Sequence, residues 1–196
     1  MRLVLTDPGH NPEPDSAELL REASRGDEGA WAALVERYSR RVYALARSRC
    51  RDPELAEEIT QSVFATIAIK LNDRYTEQGK FEPWLFRVAM NRVRDEMRRL
   101  SRHAAPTDPL HFEAHGERAE EPDADAVEAL RRAMDELGPA DREVVELRHH
   151  GQLSFRQMAE LLGEPVGTLL ARHHRALRKL KELIEAPAAG RKRGTA

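Results

Sequence analysis

The sequence predicts an all-α protein of two small helical domains joined by an acidic flexible linker, the C-terminal domain being a helix-turn-helix. Three observations carry this expectation. Apolar residues return at three- and four-residue steps on both sides of the middle of the chain, the period of a helix buried on one face. Between these stretches, residues 103–125 hold Pro106, Pro109, Gly116 and Pro122 with no sustained period, which marks a linker. Charge is sorted as well. Residues 81–102 carry six arginines against three acids, residues 168–181 five basic residues and no acid, and residues 107–125 seven acids and one arginine.

The expected boundaries are an N-terminal arm and the start of the first helix at 1–23, a first domain at 24–102, the linker at 103–125, a second domain at 126–186 and a basic tail at 187–196. A chain of 196 residues has room for two such domains. Aromatic residues are only 5% of the chain and charged residues 34%, the mixture of helical bundles with thin cores and wet surfaces. Cys50 is the only cysteine, which excludes an internal disulfide and a cysteine-rich metal site. No apolar run approaches a membrane span, and the N-terminus lacks a basic-then-apolar signal. A reducing cytoplasm, without membrane insertion, is the expected compartment.

In the first half, Trp31, Leu34, Val35, Tyr38, Val42 and Leu45 form one helical stripe, with Asp27 or a neighbour as its cap. Asp52-Pro53-Glu54 reads as an N-cap, a proline at the first helical position and an acid in the first turn. The helix that follows turns Leu55, Ile59, Val63 and Ile67 inward and Glu54, Glu57, Glu58 and Gln61 outward. Residues 72–80, polar and aperiodic with Gly79, are expected to form a loop. A third helix starts near Glu82-Pro83, supported by Leu85, Val88, Val93, Met97 and Leu100, with arginines on its other face.

The second half restarts with the stripe Val127, Leu130, Met134 and Leu137, ended by Gly138-Pro139. Another helix spans roughly residues 140–149 and stops at Gly151. Ser154 and Gln157 form a capping box at the start of a short helix, with Gly163 as its left-handed terminator. Pro165 or Val166 opens the last helix, followed by Leu169, Leu177, Leu180 and Ile184. A short capped helix, a glycine turn and a longer basic helix describe a helix-turn-helix. Gly167 and Thr168 would offer backbone N–H groups and a hydroxyl to a phosphate at the helix N-terminus. A plain helical hairpin with a solvated basic face fits the same caps. The acid-free run at 168–181 favours DNA, because ordinary solvated helices mix signs.

At this point the residues resemble a known family. The run from Gln152 through Ser154, Gln157 and Gly163, then Pro165-Val-Gly-Thr168 and Arg172-x-x-Arg175-Ala176, is similar to the promoter-reading C-terminal domain of bacterial sigma factors. Leu137-Gly-Pro-Ala-Asp-Arg-Glu-Val-Val-Glu-Leu-Arg148 matches the same domain. Glu57-Glu58-Ile-Thr-Gln61-Ser-Val-Phe64 looks like the sigma helix that grips the clamp helices of the polymerase largest subunit. Residues 81–99, with Phe81-Glu-Pro-Trp84 and Asn91, resemble the helix that reads the minus-ten element. With only these two modules and a short linker, the chain resembles the extracytoplasmic-function (ECF) group.

The resemblance implies a non-enzymatic protein without cofactor or metal, whose partners are core RNA polymerase, promoter DNA and, as an added possibility, an anti-sigma factor. It implies polymerase contacts at Glu54, Glu57, Glu58 and Gln61. It implies minus-ten contacts at Asn72, Lys80, Asn91, Arg92, Arg94, Arg98 and Arg99, the loop and Asn91 holding a flipped base. Minus-thirty-five contacts fall on Ser154, Gly167, Thr168, Arg172, His174, Arg175 and Lys179. Trp84 and Phe86 are candidate melting wedges, with Trp84 assigned to the core instead. Leu170 and Ala171 depart from the family's basic residue and serine, and Ser62 from its acid. Of His173 and His174, one is expected to replace a core contact and the other to touch DNA.

Two competing readings attach to other features. His111 and His115 flank Glu113 at a four-residue spacing, but the order differs from the zinc-protease signature and the site lies in the linker. A free-standing helix-turn-helix regulator, its first half binding a signal, is distinguished from a sigma factor by the helix carrying Glu58 and Gln61. The acids Glu120, Glu121, Asp123 and Asp125 either mimic nucleic acid or form a plain spacer.

Overall fold

The computed structural model describes residues 16–50, 52–74, 80–103 and 124–185, and among these the structure is eight helices with no strand. They are α1 (Ser16–Ala23), α2 (Glu28–Cys50), α3 (Pro53–Arg74), α4 (Phe81–His103), α5 (Ala124–Asp135), α6 (Pro139–His149), α7 (Phe155–Leu162) and α8 (Val166–Glu185). None of the described helices is long and apolar enough to cross a membrane.

Local chemistry sets most of the ends. The Asp27 carboxylate accepts from the Ala30 N–H at 2.7 Å, capping α2. Asp52 accepts from the N–H groups of Glu54 and Leu55 at 2.9 and 3.3 Å, with Pro53 at the first position of α3 where no donor is needed. The capping box of α7 is complete, and Gly163 closes that helix at φ 71°. Two boundaries move from expectation. Residues 16–23, expected to be only an arm and the start of the next helix, form a separate helix whose Leu20 and Ala23 are buried against α2. Asn72 lies within α3, and Asp125 lies in the first turn of α5, so neither belongs to a loop or linker.

Helices α2, α3 and α4 pack into one bundle. Leu34, Tyr38, Val42 and Leu45 meet Ile59, Val63 and Ile67, and Phe81, Leu85, Phe86 and Met90 close the core. Phe86 has no exposed surface, and Trp84 packs against the core at its edge, with Phe81 5.9 Å away ring to ring. Phe86 is therefore core, not a wedge. In the second half, α5 lies on α8, and α6 packs against α7 and α8, the two helices of the helix-turn-helix. Ala133 takes the buried place on α5, and Leu130, expected inside the stripe, is 46% exposed. The register of a helix that touches one neighbour follows that neighbour, and α5 touches α8 on the Ala133, Leu137 face.

The two halves share a core. Val144, Leu147, Leu153, Met158, Leu161 and Leu169 join the N-terminal cluster directly. The sequence implied two modules tied by a linker; the structure packs α7 onto α4 and α6 onto α2. The α6–α7 turn at this contact is tight. A Cβ at Gly151 would lie 2.7 Å from the carbonyl oxygen of Leu147.

Three histidine rings, His149, His173 and His174, lie together where α6 meets α8. His149 on α6 and His173 on α8 bring their Nε2 atoms to 3.2 Å, and Phe155 and His174 flank His173. One ring donates and the other accepts, which requires the accepting ring to be neutral. Burial first, then His149, His174 and Arg148, push His173 down to about 4. Burial likewise lowers His149, aided by Arg148 and His150, and lowers His150 against the opposing pull of Glu146.

Two outcomes follow for stability. Gly151→Ala forces a methyl against backbone and should cost about 1–3 kcal/mol, read as a lower thermal midpoint. An unchanged midpoint would show that the turn relaxes freely. For the histidines, the unfolded chain takes up protons below about pH 6.5. The folded rings resist until His173 titrates near about 4. The unfolded state therefore binds more protons in that window, so this stability is complete above it and is lost on acidification through it. The midpoint should fall as pH drops from about 7 to about 5, and His173→Leu should flatten the fall; equal slopes would contradict the assignment.

Candidate polymerase and nucleic-acid interfaces

The outer face of α3 is acidic and solvated. Glu54, Glu57, Glu58 and Gln61 are all exposed, as the three- and four-residue spacing requires. Beside them runs an open groove of about 680 Å³ between α2 and α3, lined by Trp31, Val35, Tyr43, Phe64 and Ala68, with Glu57 and Gln61 on its wall. A partner helix laid here would meet an apolar floor and an acidic edge.

The minus-ten candidates divide by helical phase. Asn91, Arg94 and Arg98 fall on one stripe of α4, continued backward by Lys80, while Arg92 and Arg99 lie a quarter turn away. Lys80, Asn91, Arg92, Arg98 and Arg99 are exposed. Arg99 donates to the buried Glu96 at 2.8 Å, and this contact raises its already high pKa further. Arg94 donates to the Asn91 side-chain oxygen at 3.3 Å and, on its other nitrogen, to Glu143 of α6. Arg87 lies on the same stripe and was not among the candidates; its i, i+4, i+7 relation to Asn91 and Arg94 is visible in the sequence. It donates to the carbonyl oxygens of Glu160 and Leu161, at 3.0 and 2.9 Å, in the last turn of α7.

On the helix-turn-helix, Gly167, Thr168, His174 and Arg175 are exposed along the outer face of α8. The other three candidates have internal work. Ser154 accepts from the Gln157 N–H at 3.2 Å as a cap. Lys179 donates to the Glu136 carbonyl at 2.6 Å. Arg172 forms a two-pronged pair with Glu164 at 2.8 and 2.7 Å, which lowers the Glu164 carboxyl and ties the turn to α8. His173 is buried while His174 is exposed, so the first is the core substitute. Leu170 is half-buried and Ala171 exposed, so α8 offers no cation at either position.

The contact between the halves is polar as well as apolar, and sequence reasoning missed it. Glu146 has no exposed surface, and Arg49 of α2 and Arg142 of α6 hold it at 2.6 and 2.8 Å. Arg142 also donates to the Ser48 carbonyl at 3.0 Å. Arg41 donates to the Gly151 carbonyl at 3.0 and 2.5 Å and to Glu82 at 2.7 Å. Glu82 in turn accepts from the capping-box Gln157 at 2.5 Å. Cys50, half-buried, donates to the Asp52 carbonyl at 3.3 Å, and burial pushes its thiol up, away from reactivity. No cluster of three or more metal-ligating side chains occurs among the described residues. His111, His115 and the linker acids Glu120, Glu121 and Asp123 lie outside them.

Comparison with known proteins agrees with this layout. Residues 34–103 match Sigma-70 region 2, and residues 127–180 match Sigma-70, region 4. The chain is 32% identical to the RNA polymerase sigma factor CarQ of Myxococcus xanthus, over 81% of this chain and 91% of that one. It is 28% identical to the ECF RNA polymerase sigma factor SigW of Bacillus subtilis, over 84% and 94% of the two chains. Among solved structures, CnrH in complex with the cytosolic domain of CnrY superposes with a TM-score of 0.66 at 24% identity, covering 88% of this chain and 99% of that one. Two matched regions in the expected order, with relatives aligned over most of their length, place this chain in the ECF group of RNA polymerase sigma factors.

Proposed function

We propose that three faces of this sigma factor divide the work of promoter-specific initiation. The acidic edge and apolar groove of α3 dock on core RNA polymerase. The basic stripe of α4 holds the opened minus-ten strand, with Asn91 at the captured base and Lys80, Arg94 and Arg98 on the backbone. The exposed N-terminal half of α8, through Gly167, Thr168, His174 and Arg175, reads the duplex upstream. No covalent step is required of any residue. Binding energy, distributed between protein and DNA, selects the start site.

The observation that carries this reading is the exposed row Glu54, Glu57, Glu58 and Gln61 beside an open apolar groove. Apolar surface beside an exposed polar row is what a partner helix covers. Neither DNA-facing block is large, so binding of the free protein to DNA should be weak and salt-sensitive. Holding both blocks on polymerase raises their effective concentration at a promoter.

An anti-sigma protein is a further proposed partner. The second structural neighbour, from Bartonella quintana, is the sigma factor RpoE in complex with the anti-sigma factor NepR, with a TM-score of 0.63 at 21% identity, covering 80% of this chain and 97% of that one. That likeness concerns the fold, and the same three faces are the surfaces such a protein would have to cover.

Replacing Glu58 and Gln61 together with alanine should weaken association with core polymerase by at least about tenfold, with helical content unchanged, the loss of about 2 kcal/mol or more that marks an interface hot spot. Co-purification with core at the unaltered level would remove α3 as the docking face. Transcription by purified core on a genomic fragment library, with and without this protein, tests the function itself and yields the promoter.

A further inference from the structure

Five basic residues make up the acid-free run of α8, and the fold engages two of them by hydrogen bonds. Lys179 donates to the Glu136 carbonyl, and Arg172 to the carboxylate of Glu164 in the turn before α8. The Arg172 pair is a fork on a fork, with Nη1 on Oε1 at 2.8 Å and Nη2 on Oε2 at 2.7 Å. The Arg172 side chain is only 17% exposed, whereas Arg175 and Arg178 are open to solvent. The Glu164 hydrogen bonds, then the charges of Glu164, Asp141 and Glu143, raise the already high Arg172 pKa against partial desolvation. Acids from the turn and from α6 thus act together on this one cation. Arg172 stands four residues after Thr168 and three before Arg175, so helical phase puts it at the border of the face assigned to DNA.

We propose that Glu164 clamps Arg172 and makes it a positioning residue of the upstream reader, not a DNA contact. A carboxylate offers the guanidinium the same paired acceptors as a phosphate. Trading one for the other would leave the Glu164 charge bare beside the DNA, which offsets what a free arginine would gain. The clamp ties the turn to the second turn of α8. It thereby fixes the direction in which α8 leaves α7, and where Thr168, His174 and Arg175 point. It also takes one cation out of the sequence-independent part of DNA binding, to which every phosphate contact adds. A weaker grip on bulk DNA leaves promoter binding dependent on polymerase holding the module in place. The inference rests on the reading of α8 as the DNA-facing helix, and Arg175 tests that reading separately.

The experiment measures binding of the full chain to a short fluorescein-labelled duplex of mixed sequence by anisotropy over a salt series, with helical content checked for each variant. The slope of log affinity against log salt counts phosphate contacts, at about 0.9 for each. Glu164→Ala should steepen the slope by about 0.9 and tighten binding at low salt about three- to tenfold, because it frees Arg172. Glu182→Ala, which removes an exposed acid at the far end of α8, should leave the slope unchanged and shift affinity less than about twofold. Glu164→Gln with Arg172→Gln removes the pair at constant net charge and should keep the slope within about 0.3 of the parent. A slope lower by about 0.9 in that variant would mean that Arg172 already meets a phosphate, and overturns the clamp. So does an unchanged slope in Glu164→Ala. Positioning is read in transcription by core on a promoter recovered from the fragment library, relative to the same fragment with its upstream element scrambled. The doubly neutral variant should lose about three- to tenfold of that preference, and the swapped pair Glu164→Arg with Arg172→Glu should restore it. Full preference without the pair, or none with the swapped pair, removes the positioning role. Arg175→Gln should lower the slope by about 0.9; no change there overturns α8 as the DNA-facing helix, and the clamp with it.

Discussion

A carboxylate with no contact to water governs how this chain is put together. Glu146 sits at the meeting of α6 with α2, and an ionised group in that place is tolerable only while both of its oxygens are held by cations. Arg49 comes from the first half and Arg142 from the second, so the charge is satisfied only when the halves are together. Separating them would wet Glu146 and both arginines, which offsets part of the loss.

The joint fixes where the working faces lie. The acidic edge of α3 and the outer face of α8 look outward, and on α4 Arg87 and Arg94 reach the second half while Lys80 and Arg98 stay exposed. Arg41 reinforces this by threading the α6–α7 turn: its guanidinium reaches the Gly151 carbonyl and Glu82, and lies 5.0 Å from the Phe86 ring centre. The capping box of α7 is drawn into the same network through Gln157. A device that starts a helix thereby also helps to dock it.

The local grammar of the chain was legible. Asp27, Asp52-Pro53, Ser154 with Gln157, and Gly163 act within a few residues of themselves, and each ends or begins a helix where its chemistry predicts. The exposed row on α3 and the arginines of α4 follow from helical phase alone. What escaped was set by partners far away in the chain. Glu146 and Arg49 are 97 positions apart, and Arg41 and Gly151 are 110 apart, so neither pair leaves a periodic mark. The exposure of Leu130 depended on which face α8 offered to α5. The engagement of Arg172 and Lys179 within the fold depended on side-chain reach that no spacing rule records. His173 fell between these cases: its misfit with the apolar pattern was visible, and only the neighbouring His149 ring explains how it is accommodated.

Much of the recognition between the halves is addressed to the main chain. Arg41 binds the carbonyl of Gly151, Arg142 that of Ser48, and Arg87 those of Glu160 and Leu161. A backbone oxygen is supplied by every amino acid, so substitutions at residues 48, 160 and 161 leave their acceptors in place. Only the arginines are exposed to mutational loss at these points. Descendants could thus diversify the surface of the helix-turn-helix while inheriting these main-chain contacts unchanged.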